Sequence, residues 1–218
     1  MKFSNDTLSI LKNFSTINPS VVFKPGSVIR TISPQKTVMA AAQIGEVVEQ
    51  QAGVYDLSRF LSTLALFDSP EVVFGTDRFT IKGGKSELRY TYTSESLIVS
   101  PPEKDIVVPD PEVSVDITWQ AIDGVLRAAG VLQLPEIAFI GDGSSVTLSA
   151  VDSKTSTADN YNTVVADDLD TEPFNMIIKV DNLKLLPTDY NVTLSSKGMA
   201  HFKSEKVQYW AAIEAKQI

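Results

Sequence analysis

The sequence predicts an α+β protein of two similar domains, each a β-sheet backed by two helices, and three observations carry that reading. Four segments repeat apolar residues at helical spacing, nearly all the rest alternates β-branched residues between turn signals, and a proline-rich stretch separates two halves with the same order of elements. For a chain of 218 residues, this means domains of about 100 to 110 residues, each large enough to bury its own core.

The first helix is expected after Ser4 or Asn5, with Leu8, Leu11, Phe14 and Ile17 recurring every three residues. The second runs from Asp56 to Phe67 and carries Leu57, Phe60, Leu61 and Leu64, the i, i+3, i+4, i+7 stripe of a helix lying on a core. Thr118 caps the third, where Trp119, Ile122, Leu126 and Ala129 form the stripe and Gly124 and Gly130 lower the propensity. The fourth is short, Asp181 to Leu186, and stops before Pro187. Turn chemistry at Pro25-Gly26, Gly83-Gly84, Gly141-Asp142-Gly143 and Lys197-Gly198 divides the remainder into strands.

From Pro101 to Pro111, four prolines surround Ile106, Val107 and Val108; fixed φ angles and missing amide donors make this an extended connector. It separates an N-terminal domain, residues 1–104, from a C-terminal one, 105–218. Asp56 to Phe67 leads into strands at Glu71 to Phe74, Phe79 to Lys82 and Leu88 to Thr93. Asp181 to Leu186 leads into Asp189 to Ser195, Met199 to Lys203 and Val207 to Ala215. Earlier in each half, the first and third helices run into Ser20 to Phe23 and Glu136 to Phe139. Agreement in order along both halves points to an internal duplication.

Catalytic chemistry finds little to work with. The chain has no cysteine, which removes thiolate metal sites, disulfides and cysteine nucleophiles together. Its single histidine, His201, sits in an alternating strand and reads as a structural residue. Asp167, Asp168, Asp170 and Glu172 lack the ligand spacing and glycine of a calcium loop, and read as solvated. Gly141-Asp142-Gly143-Ser144-Ser145 leads into a strand and has no following Lys-Ser or Lys-Thr, so it is a hairpin turn and not a phosphate cradle. No catalytic residue, metal site or cofactor is expected. Hydrophobic content of 43% with 21% charged residues suits a folded soluble protein, and no apolar run reaches the length of a membrane span. The polar start gives no signal-peptide core, so an intracellular protein is expected. With 19 Lys plus Arg against 27 Asp plus Glu, a net charge of −8 argues against a broad basic surface gripping nucleic acid.

Met1-Lys2-Phe3-Ser4-Asn5-Asp6-Thr7 followed by Leu11-Lys12-Asn13-Phe14-Ser15-Thr16-Ile17-Asn18 resembles the opening of the sliding clamps of T4-type bacteriophages. Tyr55-Asp56-Leu57, Leu126-Arg127 with Leu132-Gln133, Phe174-Asn175-Met176-Ile177-Ile178 and the closing Tyr209-Trp210-Ala211-Ala212-Ile213-Glu214-Ala215 continue the resemblance in the family's order. The resemblance implies a DNA-clamp fold: a homotrimeric ring, helices lining the hole and sheets outside, with no nucleotide bound and no reaction catalysed. It implies a processivity factor that encircles duplex DNA without sequence preference and tethers the replicative polymerase in the cytoplasm of an infected bacterium. An ATP-driven clamp loader opens the ring, the polymerase docks through its C-terminal tail, and late-gene transcription factors also use it. Retention by enclosure reconciles an acidic protein with DNA, since it needs few of the salt-sensitive phosphate contacts that would impede movement.

Lys12, Arg59, Arg127 and Lys184 put one cation on each expected helix, off the apolar stripe, and Lys2 precedes the first; these are the candidate DNA-facing residues. Asp56, Asp123 and Asp181 lie three or four residues before three of them, which equally suits ordinary helix ion pairs worth about 0.2–0.5 kcal/mol. The strip Ile106, Val107, Val108 and Pro109 is the candidate partner-binding segment, apolar within a polar connector. The competing functional class is a non-enzymatic, two-domain β-rich structural or assembly protein of a phage.

Overall fold

The computed structural model describes residues 1–104, 106–155 and 157–214, and the chain divides between residues 104 and 105 into two compact units.

In the first unit, Ser4 caps helix α1, Asn5–Ile17, its Oγ accepting from the Thr7 amide at 3.2 Å. A second acceptor arrives from far along the chain: the Glu46 carboxylate accepts from the Ser4 amide and, at 2.5 Å, from the Thr7 hydroxyl. Partial burial raises the Glu46 pKa, but the hydrogen bonds from Thr7 and Ser4 outweigh it and hold the group below its ordinary value. Strands β1 (Val21–Phe23), β2 (Gly26–Ile32), β3 (Val38–Val48) and β4 (Ala52–Val54) follow, β1 antiparallel to β4 and β2 to β3. Helix α2, Leu57–Leu64, is capped by Asp56, whose Oδ1 accepts from the Arg59 amide at 2.8 Å. Looser turns carry the chain on to Phe67. The meander is β5 (Glu71–Phe74), β6 (Arg78–Gly83) and β7 (Ser86–Thr91).

Helix α1 lies on β2 and β3 and packs on α2. Leu11, Phe14, Leu57 and Phe60 are fully buried, as the stripes require, and join Phe23 and Phe79 in an aromatic core. The Phe79 ring centroid lies 4.9 Å from those of Phe60 and Phe74, and 4.6 Å from that of Tyr92. Gly53 is required where β4 meets the chain after β7, because a Cβ there would collide with the Thr93 carbonyl oxygen.

The second unit opens with β8 (Val113–Ile117) and α3 (Trp119–Leu132), capped by Thr118 as expected. Strands β9 (Glu136–Gly141), β10 (Val146–Val151), β11 (Tyr161–Ala166) and β12 (Phe174–Lys179) form an antiparallel sheet in the order β11-β10-β9-β12, with α3 against β9, β10 and β11. Strands β13 (Tyr190–Ser195), β14 (Met199–Lys203) and β15 (Val207–Ala212) form the second meander, and β8 pairs with the free side of β13. The expected end of the last strand, Ala215, lies outside the described residues.

The expected fourth helix, Asp181 to Leu186, does not form; Val180–Asn182 is one 3-10 turn, followed by a loop. Pro187 denies the residue before it the helical region, leaving too few residues to repay nucleation. Leu183 and Leu185 are instead both buried, a spacing of two that no helix provides. Two buried tyrosines complete the loop: the Tyr190 hydroxyl donates to the Leu186 carbonyl at 2.7 Å, and the Leu186 amide donates to the Tyr209 hydroxyl at 3.2 Å. Burial pushes both phenols well above their ordinary pKa.

Among the described residues, the expected connector contains no helix or strand. Its distal part is held by the second unit: the Trp210 indole donates to the Ile106 carbonyl at 3.0 Å, the Ser195 hydroxyl donates to the Pro109 carbonyl, and the Glu112 amide donates to the Leu194 carbonyl at 2.9 Å.

Candidate nucleic-acid and partner interfaces

On α1, Ile10, Leu11, Phe14 and Ile17 point into the core, so Lys12 is exposed on the opposite side. On α2, Leu57, Phe60 and Leu64 are buried and Arg59 is exposed. The neighbouring hydroxyls turn back on their own helices: Ser62 donates to the Ser58 carbonyl at 2.9 Å, Thr63 to Arg59 at 2.8 Å and Ser15 to Lys12 at 2.7 Å. Lys2, also exposed, donates to the Ser69 hydroxyl at 3.3 Å. Packing of α1 on α2 thus brings Lys12 and Arg59 onto adjoining helices of one unit.

In the second unit, Arg127 is exposed on α3 and pairs with Asp123 one turn earlier, Nε to Oδ2 at 2.9 Å. Two solvated partners at this spacing gain little from each other, so the guanidinium remains available to a stronger anion. Lys184 is exposed but lies on the loop after the 3-10 turn, not on a helix. The expectation of one cation per helix therefore holds at three positions and fails at the fourth, for the reason that removed the helix.

Val107 is 84% exposed, with Ile106 and Val108 half-buried and Pro109 exposed. The strip's backbone is pinned at Ile106 and Pro109, which presents the Val107 side chain from a fixed loop. A second feature had no signal in residue spacing. In the first unit, Val21, Val22, Val28, Ile98, Val99 and Pro101 line a cleft of about 400 Å³. Lys24 stands at its wall, with Nζ 2.9 Å from Glu103 and 3.6 Å from Glu95. The hydrogen bond that Lys24 donates to the Glu103 carboxylate raises the Lys24 pKa and lowers that of Glu103.

The residues considered for catalysis take structural places. The His201 ring stacks on Trp210 with centroids 4.8 Å apart, its Nε2 3.0 Å from the Gln208 side-chain oxygen. Asp142 accepts from the Ser144 and Ser145 amides at 2.9 and 2.7 Å, with both hydroxyls adding bonds. These donors hold its carboxyl at about 2 and close the hairpin turn. Among the described residues, no group of three or more His, Asp or Glu side chains is placed to hold a metal ion, and no helix is long and apolar enough to cross a membrane.

Two helix-backed sheet units in one chain, each ending in a three-strand meander, define the DNA-clamp class of folds. The chain superposes on PCNA of Thermococcus kodakaraensis with a TM-score of 0.68 at 17% identity, over 97% of this chain and 98% of that one. On the Helicobacter pylori beta clamp the TM-score is 0.69 at 14% identity, over 100% of this chain and 64% of that one. At the level of sequence, a family model described as DNA polymerase processivity factor matches residues 4–100, and one described as gp45 sliding clamp, C terminal, matches 114–215. The sliding clamps of Escherichia phage RB69 and Vibrio phage KVP40 are each 31% identical to this chain over 99% of its length, covering 97% and 100% of theirs. That of Enterobacteria phage T4 is 30% identical over 99% of this chain and 97% of its own. The chain belongs to the T4-type phage sliding-clamp family, whose members are non-catalytic processivity factors.

Proposed function

We propose that this sliding clamp works as a head-to-tail homotrimer that encloses duplex DNA in the cytoplasm of an infected bacterium, with its two units as the two clamp domains. The carrying observation is similarity to phage sliding clamps along 99% of the chain. An ATP-driven loader opens and closes the ring, and late-gene transcription factors share it with the polymerase. Lys2, Lys12, Arg59, Arg127 and Lys184 contact phosphates; their exposure supports this role, and the net charge of −8 makes enclosure the source of retention. The polymerase tail docks against Ile106, Val107, Val108 and Pro109, a reading supported by the exposure of Val107 on a pinned backbone.

The test is retention on circular DNA after loading, followed by linearisation. The protein should stay on closed circles and leave from the cut ends; equal loss from both forms would overturn enclosure. Arg59→Glu with Arg127→Glu should lower retention at low salt without preventing assembly, whereas Val107→Glu should abolish polymerase stimulation while leaving retention intact. Parental behaviour of either variant removes its residues from the assigned role.

A further inference from the structure

On the face of the second meander turned away from its core, one tryptophan is better covered than its place in the strand predicts. Tyr209 and Ala211 of β15 are buried in the core with Ala200 and Phe202 of β14, so strand alternation puts Trp210 and His201 on the opposite face. His201 is only half-buried there, whereas Trp210 is 3% exposed.

His201 and Trp210 are cross-strand partners in the β14–β15 register. Their rings stack within 11° of parallel at a centroid distance of 4.8 Å. Gln208, two residues before Trp210 and on the same face, accepts from His201 Nε2 at 3.0 Å; an amide oxygen only accepts, so Nε2 carries the proton. The His201 ring is thus held at its edge as well as over its face. Trp210 in turn donates its indole N–H to the Ile106 carbonyl at 3.0 Å, at one end of the strip that exposes Val107. The other end rests on Ser195, whose hydroxyl donates to the Pro109 carbonyl and accepts from the Lys197 amide at 3.1 Å. These two pins differ in stiffness. The Ser195 hydroxyl is set by one torsion, but the Trp210 nitrogen is reached through two, the second with a broad preference, so its direction depends on what lies against the ring.

We propose that His201 is a positioning residue for partner docking: its ring, oriented by Gln208, holds the Trp210 indole on the Ile106 carbonyl and so fixes the loop that presents Val107. The role rests on the reading that the polymerase tail docks at Ile106 to Pro109. His201 itself touches no partner in this scheme. It narrows the loop to the conformation that the tail must meet, so less ordering is left to be done on binding. Histidine suits the place because one planar ring supplies both a stacking face and an edge N–H. Phenylalanine would keep only the first.

The readout is the concentration of this protein that half-saturates stimulation of the replicative polymerase, with urea unfolding confirming that each variant folds. His201→Ala and Trp210→Phe should each raise it about two- to tenfold, the range of one aromatic pair or one hydrogen bond. His201→Phe, which keeps the stack and loses the bond to Gln208, should recover most of that loss. His201→Ala combined with Trp210→Phe should be no worse than Trp210→Phe alone, since one residue acts through the other. By hydrogen exchange, the Trp210 indole N–H should open faster in His201→Ala than in the parent. Additive losses, no recovery in His201→Phe, or parental behaviour of His201→Ala in either measurement would overturn the positioning role; with Val107→Glu still abolishing stimulation, docking at the strip stands. If Val107→Glu stimulates like the parent, docking at the strip and the role of His201 both fail.

Discussion

Between the early strands and the meander, the first unit places the eight-residue helix α2, whereas the second places a 3-10 turn and a loop at the same point in the order. The neighbouring elements correspond: α1 with α3, β1 and β4 with β9 and β12, and β5 to β7 with β13 to β15. The two solutions differ in how backbone polar groups are satisfied. Helix α2 bonds internally and buries Phe60 against Phe79, while the loop before Pro187 borrows the hydroxyls of Tyr190 and Tyr209. One architecture thus tolerates loss of a helix where buried side chains take over its hydrogen bonds.

The sharpest way to break this comparison is to remove the borrowed groups. Tyr190→Phe and Tyr209→Phe each leave a Leu186 backbone group without its tyrosine partner and should cost about 1–3 kcal/mol in urea unfolding. In the first unit, Tyr90→Phe removes a bond from an exposed hydroxyl to the Asp56 carbonyl and should cost less than about 1 kcal/mol. Equal losses would show that the tyrosines do not stand in for the helix. Their raised pKa values add an alkaline signature: stability present below the ordinary phenol value, about 10, should fall as pH rises beyond it.

A smaller contrast lies at the two aspartates. Asp56→Ala removes the α2 cap and should cost about 0.5–2 kcal/mol. Asp181→Ala, in a turn without a side-chain cap, should stay within about 0.5 kcal/mol. A loss at Asp181 as large as that at Asp56 would contradict the absence of the fourth helix.

The smallest effect separates the hairpins. Asp142, held at about 2, contributes stability above the ordinary aspartate value that is lost as pH falls through the folded one. Amide exchange around Ser144 and Ser145 should therefore quicken between about pH 4 and 2, the interval between the ordinary and folded values. The Gly83–Ser86 hairpin, whose turn holds no carboxylate, should show no such step. A step in both hairpins would assign the change to general acid unfolding.

Much of the fold was legible because the determinants are local. Ser4, Asp56 and Thr118 announce three helices; the apolar stripes mark the buried faces of α1 and α2, whereas on α3 Val125 is buried with Ile122 and Ala129 and the expected Trp119 and Leu126 are half-buried. Strands such as Glu71–Phe74 and Met199–Lys203 follow from alternation bounded by turns. The expected fourth helix fails because Leu183 and Leu186 only mimic helical spacing, while the tyrosines that hold the loop come from later strands. The cleft beside Lys24 escaped for the same reason: its walls come from β1, β2 and the stretch 98–103, which no periodicity connects. Exposure of Lys12, Arg59 and Arg127 is readable from the stripes.

The back-bonded hydroxyls of Ser15, Ser62 and Thr63 bear on friction. A duplex lying against these helices would meet few donors committed to any one phosphate, so advancing by a base pair breaks little and re-forms little. On the proposed assignment, the long Lys12 and Arg59 side chains would pass from one phosphate to the next, smoothing the energy profile along the helical path instead of deepening its wells. Replacing those hydroxyls with fixed donors would tighten the grip at each step and slow diffusion along the DNA.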